Sequence, residues 1–209
     1  MTRLDLTLAS LVGLLTSSTH AAPVRYQAEF LAGALVAPHP LKLATLKLDL
    51  VWDPTTLTPI SSNAAKTDWP TTNTVGTLTV SGSATADGVY AATFPYADYQ
   101  WTIYNDVPTV GDAIWVPRMR FQIGGRRIDT SVPIVYLPDT YVSGQHPFYP
   151  KPVSYNDARW SVVSFTAFEP VSGVDAKVVS ASITIVPEPT TIALGSVALL
   201  SLAALRRHK

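Results

Sequence analysis

Through the middle of the chain, apolar and polar residues alternate with a period of two, the spacing of a strand with one buried face. Tyr26, Ala28 and Phe30 alternate with Arg25, Gln27 and Glu29; Leu46, Leu48, Leu50 and Trp52 alternate with Lys47 and Asp49. Residues 75–80 and 89–94 repeat the pattern more weakly, on either side of Asp87-Gly88. Tyr99, Trp101 and Ile103 share one phase against Gln100, Thr102 and Tyr104, and residues 159–168 and 177–186 read as two further strands. Turn residues punctuate these runs, and Thr, Val, Ile and aromatic residues dominate them. The expectation is an all-β, antiparallel β-sandwich or jelly roll.

One hairpin can be written in register. Arg118-Met119-Arg120-Phe121-Gln122-Ile123 leads into Gly124-Gly125 and then Arg126-Arg127-Ile128-Asp129-Thr130. A two-residue Gly-Gly loop suits a primed turn, because glycine accepts positive φ. It pairs Phe121 with Ile128 on one face and Arg120 with Asp129 on the other. Arg118, Arg120, Arg126 and Arg127 form the basic cluster of this region. Two readings stand: a patch for acidic polysaccharide, since guanidinium forks suit carboxylates, or the charged face of an edge strand.

Residues 138–157, PDTYVSGQHPFYPKPVSYND, hold four prolines and so exclude a central strand. They also carry Tyr141, Phe148, Tyr149 and Tyr155, with His146 among them. Such a loop is either a stacking platform for sugar rings or a lid that closes one end of the fold with its own aromatics. Trp69 and Trp115 lie close to prolines and are expected to be partly exposed. Trp52, Trp101 and Trp160 are expected in the core.

Candidate chemistry is sparse. No Gly-x-Ser-x-Gly elbow, His-Glu-x-x-His run or phosphate loop occurs. Glu29 and Glu169 are the carboxylates that a secreted glycan hydrolase would have to pair with another acid. Asn105, Asp106, Asp112, Asn156 and Asp157 offer oxygen ligands without the dense spacing of a dedicated calcium loop, and Asx turns account for them. No metal, cofactor or catalytic residue is assigned. The absence of cysteine removes thiolate chemistry and disulfides alike. A slight excess of acid over base between residues 22 and 189 gives no footprint for nucleic acid.

The two ends differ from the body. Residues 1–21 place Arg3 before an apolar stretch, 6–15, and small residues at Ala21 and Ala22. This is the layout of a secretory signal cut after Ala21 by signal peptidase. At the other end, Val186-Pro187-Glu188-Pro189 precedes an uncharged apolar run, 190–205, and the basic tail Arg206, Arg207, His208 and Lys209. As a helix that run would rise about 24 Å, a short span for a hydrocarbon core of about 30 Å. The order of Pro-Glu-Pro, short apolar helix and basic tail resembles a PEP-CTERM sorting signal. The resemblance covers residues 186–209 only. It implies an exported precursor, held in the membrane by its terminal helix until an exosortase-type membrane protease cuts near Pro189. The mature product would then reach the cell surface or an extracellular polysaccharide matrix. The body, residues 22–185, is expected to be a non-enzymatic matrix protein, alternatively a carbohydrate-binding module or a glycan hydrolase. Its candidate ligand surface comprises Tyr141, His146, Phe148, Tyr149 and Tyr155 with Arg118, Arg120 and Arg127.

Overall fold

A computed structural model describes residues 22–33, 39–95, 100–107, 111–142, 147–168 and 171–186. The secretory signal, Pro187, Glu188, Pro189, the apolar run and the basic tail all lie outside the described residues, as do His146 and Glu169.

The described residues are all-β and antiparallel. In chain order the strands are β1 (Val24–Ala32), β2 (Thr45–Trp52), β3 (Ser61–Ser62), β4 (Lys66–Trp69) and β5 (Thr74–Ser81). They continue with β6 (Gly88–Ala91), β7 (Trp101–Val107), β8 (Gly111–Trp115), β9 (Arg120–Ile123) and β10 (Arg126–Thr130). The last are β11 (Ile134–Leu137), β12 (Arg159–Trp160), β13 (Val163–Ala167) and β14 (Ser172–Ile185), with a 3-10 turn at Tyr155–Asp157. Among the described residues no helix is long and apolar enough to cross a membrane.

Two sheets form. The larger is eight-stranded, in the order β6-β5-β2-β1-β14-β13-β10-β9; the smaller is six-stranded, in the order β12-β11-β8-β7-β4-β3. The larger sheet nearly closes on itself. Thr93, just past β6, and Arg120, on β9, exchange both backbone hydrogen bonds at 2.9 Å, so the first and last strands of that sheet meet along a short seam.

The alternation read from the sequence fixes which way each strand faces. On β1, Val24, Tyr26, Ala28, Phe30 and Ala32 are buried while Arg25, Gln27 and Leu31 are exposed. Pairing with β2 sets Leu48 against Ala28 and Leu50 against Tyr26, all inward. The same phase continues into β14, where Ala181 faces Ala28 and Ile183 faces Tyr26. The smaller sheet covers one end of this wall. Trp52 of β2 stacks on Trp101 of β7 at 5.1 Å between ring centroids, with Trp69 of β4 edge-on at 5.7 Å. Each such ring contact adds about 0.5–1.5 kcal/mol beyond area burial, so this trio ties the two sheets together.

The Gly124-Gly125 hairpin forms in the register written from the sequence: Ile123 pairs Arg126, Phe121 pairs Ile128 and Arg120 pairs Asp129. Both glycines have positive φ, 57° and 75°. Two other expectations change. Residues 159–168 do not make one strand: β12 and β13 are separated at Ser161 and Val162, because Ser161 N–H donates to the Ile134 carbonyl at 2.9 Å and its hydroxyl accepts from Ile134 N–H at 2.8 Å. Trp69 is fully buried despite its neighbour Pro70, with its indole N–H donating to the Phe148 carbonyl at 2.9 Å.

Candidate ligand surfaces

The proline-rich loop folds inward for part of its length. Tyr141 and Phe148 are buried and pack on each other at 5.5 Å, which removes both rings from an exposed platform. Phe148 N–H donates to Thr67 Oγ1 at 2.9 Å, deep under the smaller sheet. Burial pushes the Tyr141 phenol well above its ordinary pKa. Its backbone N–H donates to Asp112 Oδ2 at 2.6 Å, and Asp106 N–H donates to Asp112 Oδ1 at 2.9 Å. These donors, with Thr140 N–H, account for a wholly buried carboxylate. The oxygens of Asp106 and Asp139 lie within 4.8 Å of it and of each other.

Tyr149 and Tyr155 keep exposed surface. Tyr149 leans on Trp69 at 4.8 Å, and Tyr155 stacks on half-buried Trp160 at 6.5 Å. Trp160, expected in the core, lies at its margin against Tyr26, at 6.1 Å.

The arginines of the hairpin are engaged with the fold. Arg120 Nε lies 2.9 Å from Asp129 Oδ1, and Arg127 Nη2 lies 2.7 Å from Asp129 Oδ2. Arg118 Nε donates to the Thr130 carbonyl at 2.7 Å, and Arg127 also covers the Phe168 ring at 4.3 Å. A forked pair of guanidiniums around a buried carboxylate is a structural clamp, so Arg118, Arg120 and Arg127 do not make an open anion patch. Glu29 faces solvent on β1, 3.4 Å from Lys47.

A different surface brings aromatic and polar groups together. On the outer face of the smaller sheet, Arg159, Tyr136, Ala113, Tyr104 and Lys66 stand in register across β12, β11, β8, β7 and β4. The neighbouring row is Ile134, Trp115, Thr102, Asp68 and Ser61. Trp115 is 37 % exposed and meets Tyr104 at 5.0 Å, and the Arg159 guanidinium lies 4.6 Å above the Tyr136 ring. The small side chain of Ala113 separates Tyr104 from Tyr136, which stand two strand spacings, roughly 10 Å, apart.

Polar groups flank the rings. Asp68 is buried and accepts from Thr102 Oγ1 at 2.9 Å and Ser61 Oγ at 2.5 Å, with Lys66 Nζ at 2.6 Å. Burial alone would raise its pKa; the bonds from Lys66, Ser61 and Thr102 outweigh this and hold it below the ordinary aspartate range. Burial raises the Tyr104 phenol, with Lys66 opposing. Beyond Tyr136 and Arg159 a hollow of about 450 Å³ adjoins the face, lined also by Asn156 and Asp157 from the 3-10 turn. Stacking faces bordered by an amide, a carboxylate and a guanidinium are suited to a polyhydroxylated ring, which offers apolar C–H faces and hydrogen-bonding edges.

The sequence held two clues to this face. Tyr104 fell on the polar phase of its strand. Trp115 was expected to be partly exposed, and is. Tyr136 and Arg159 gave no sign, because pairing between β11, β8 and β12 is what makes them neighbours. No protein family, curated protein or solved structure matches this chain.

Proposed function

We propose that this is an exported, non-enzymatic protein that associates with extracellular polysaccharide through the outer face of its smaller sheet. The observation that carries the reading is the set of rings Tyr104, Trp115 and Tyr136 beside Arg159, Asn156 and Asp157. In this reading the fold is a sandwich whose larger sheet curls toward a barrel, and the smaller sheet turns its aromatic side to the ligand. Export rests on the sequence, namely the secretory layout of residues 1–21 and the Pro187-Glu188-Pro189 signal. Val186 N–H makes the last ladder bond, to the Pro23 carbonyl at 2.7 Å. The described ladder therefore ends at Val186, the residue that opens the motif read from the sequence.

The binding test is affinity electrophoresis of the full chain through gels that contain neutral or acidic polysaccharides. A Trp115→Ala/Tyr136→Ala double variant should lose retardation at least tenfold, about 1.4 kcal/mol, with an unchanged far-UV spectrum. Equal retardation of variant and parent would remove this face. For sorting, the C-terminal residue of the host-made protein is read by mass spectrometry. A terminus near Pro189, lost in Glu188→Ala, is the expected result; a retained Lys209 in the parent would overturn it.

A further inference from the structure

The chain leaves β14 beside a hollow. Val153 and Ile183 exchange both backbone hydrogen bonds as an antiparallel bridge, so residues 147–152 run alongside the residues that follow Ile183. Where the two segments meet lies a hollow of about 340 Å³. Buried Tyr141 and Phe148 line it together with exposed Val142, Tyr149 and Ile185.

Lys151 is the one charged residue among the described residues that line it. Its ammonium donates to the Thr140 carbonyl and stands 5.0 Å from the centre of the Tyr141 ring, which uses one of its three N–H donors. Pro150 and Pro152 fix the backbone on either side of it. Among the described residues no carboxylate forms an ion pair with Lys151.

Ile185, on the wall of the hollow, stands two residues before Pro187-Glu188-Pro189. Three residues extend at most roughly 10 Å, so Glu188 stays in the neighbourhood of the hollow from which the strand departs. Two prolines bias this segment to polyproline II, a form that aromatic-lined grooves accept without the ordering cost of a flexible peptide. Glu188 is the only charged residue between Lys177 and Arg206. The segment therefore offers one anion to a hollow with one cation.

We infer that this hollow seats the chain's own Pro187-Glu188-Pro189 segment, with its proline rings on Val142, Tyr149 and Ile185 and the Glu188 carboxylate on the Lys151 ammonium. The domain then carries the segment on its surface instead of on a free tether. Docking rests on these residues alone and stands whether or not a protease reads the motif, which the mass measurement above tests separately.

The test uses the nitrogen-15-labelled full chain in dodecylphosphocholine micelles, with two NMR readings: the heteronuclear Overhauser effect at residue 188 and the amide shift of Val142. In the parent, the residue 188 amide should be as rigid as those of β14. Lys151→Glu and Glu188→Lys should each loosen it and displace the Val142 signal, and the exchange Lys151→Glu/Glu188→Lys should restore both readings. A residue 188 amide that is loose in the parent, or equally rigid in every variant, overturns the docking. Losses that the exchange does not restore overturn the pairing with Lys151. A Val142 signal that ignores Glu188→Lys and instead follows protein concentration would assign the hollow to a second copy, and one that follows added polysaccharide would assign it to a glycan; either result overturns the inference.

Discussion

Asp129 has no exposed surface, yet two arginines reach it from different positions of one hairpin, Arg120 directly across the strand pair and Arg127 two residues earlier. Removing the carboxylate leaves two guanidiniums pressed together without their counter-charge. Because both arginines keep some contact with solvent, the cost of Asp129→Ala should fall at the low end for a broken buried pair, about 3 kcal/mol. For a domain of this size that lowers the melting temperature by roughly 6–12 °C, measurable by calorimetry. Titration adds a second expectation. Asp49, held by Arg25, and Asp68 both have folded pKa values below the ordinary range. Their contribution is present above the unfolded value, about 4, and is lost as pH falls through the folded value. His39 is likewise lowered but must gain charge on acidification, so its share begins to decline earlier, below about 6.5. The urea midpoint should therefore fall in two stages on acidification. His39→Gln should remove the first stage, and Asp68→Asn should reduce the second.

At the scale of elements, strands with a plain alternating face were legible, whereas β4 and β8, whose buried polar groups bond to residues distant in sequence, were not. β1, β2 and the β9–β10 hairpin, register included, follow from side-chain period and turn chemistry. β4 carries Thr67 and Asp68 buried beside Trp69, and β8 carries buried Asp112. Those residues are satisfied by partners distant in sequence, Phe148 N–H for Thr67 and Tyr141 N–H for Asp112. No local pattern reports such pairing, so β4, β8 and β11, and the aromatic face they build, stayed hidden. The same tertiary bonds bear on the two readings of the 138–157 loop. Phe148 is buried with its backbone tied to Thr67 and Trp69, as a lid requires, whereas Tyr149 stands at the surface. Phe148→Ala should cost about 3–5 kcal/mol and Tyr149→Ala well under half of that, compared by urea denaturation. Similar costs at the two positions would contradict the lid.

At the scale of the whole molecule, the first and last strands are neighbours in the middle of the larger sheet. Val24 pairs Ile185, Arg25 pairs Thr184, and Val186 N–H reaches the Pro23 carbonyl. The two segments flanking the domain therefore leave from one place, and the strand pair between them fills the gap between β2 and β13. This arrangement sets how far a C-terminal cut can intrude. A chain ending at Pro189 keeps every described bond of β14 and should melt with the full chain. A chain ending at Ser180 loses Ala181 and Ile183 from the core. It also loses the exchange between Ile183 and Val153, whose N–H to carbonyl distances are 2.8 and 2.9 Å, and with it one of the ties of the proline-rich loop. Deleting one large buried aliphatic side chain alone costs about 2–5 kcal/mol; here a stretch of central ladder goes with it. The shorter chain should be unfolded or aggregated by size-exclusion chromatography, with Tyr26 and the Trp52 stack exposed to quenchers. If instead it stayed folded with an unchanged melting temperature, the central pairing of β14 with β1 would not be what holds the larger sheet together.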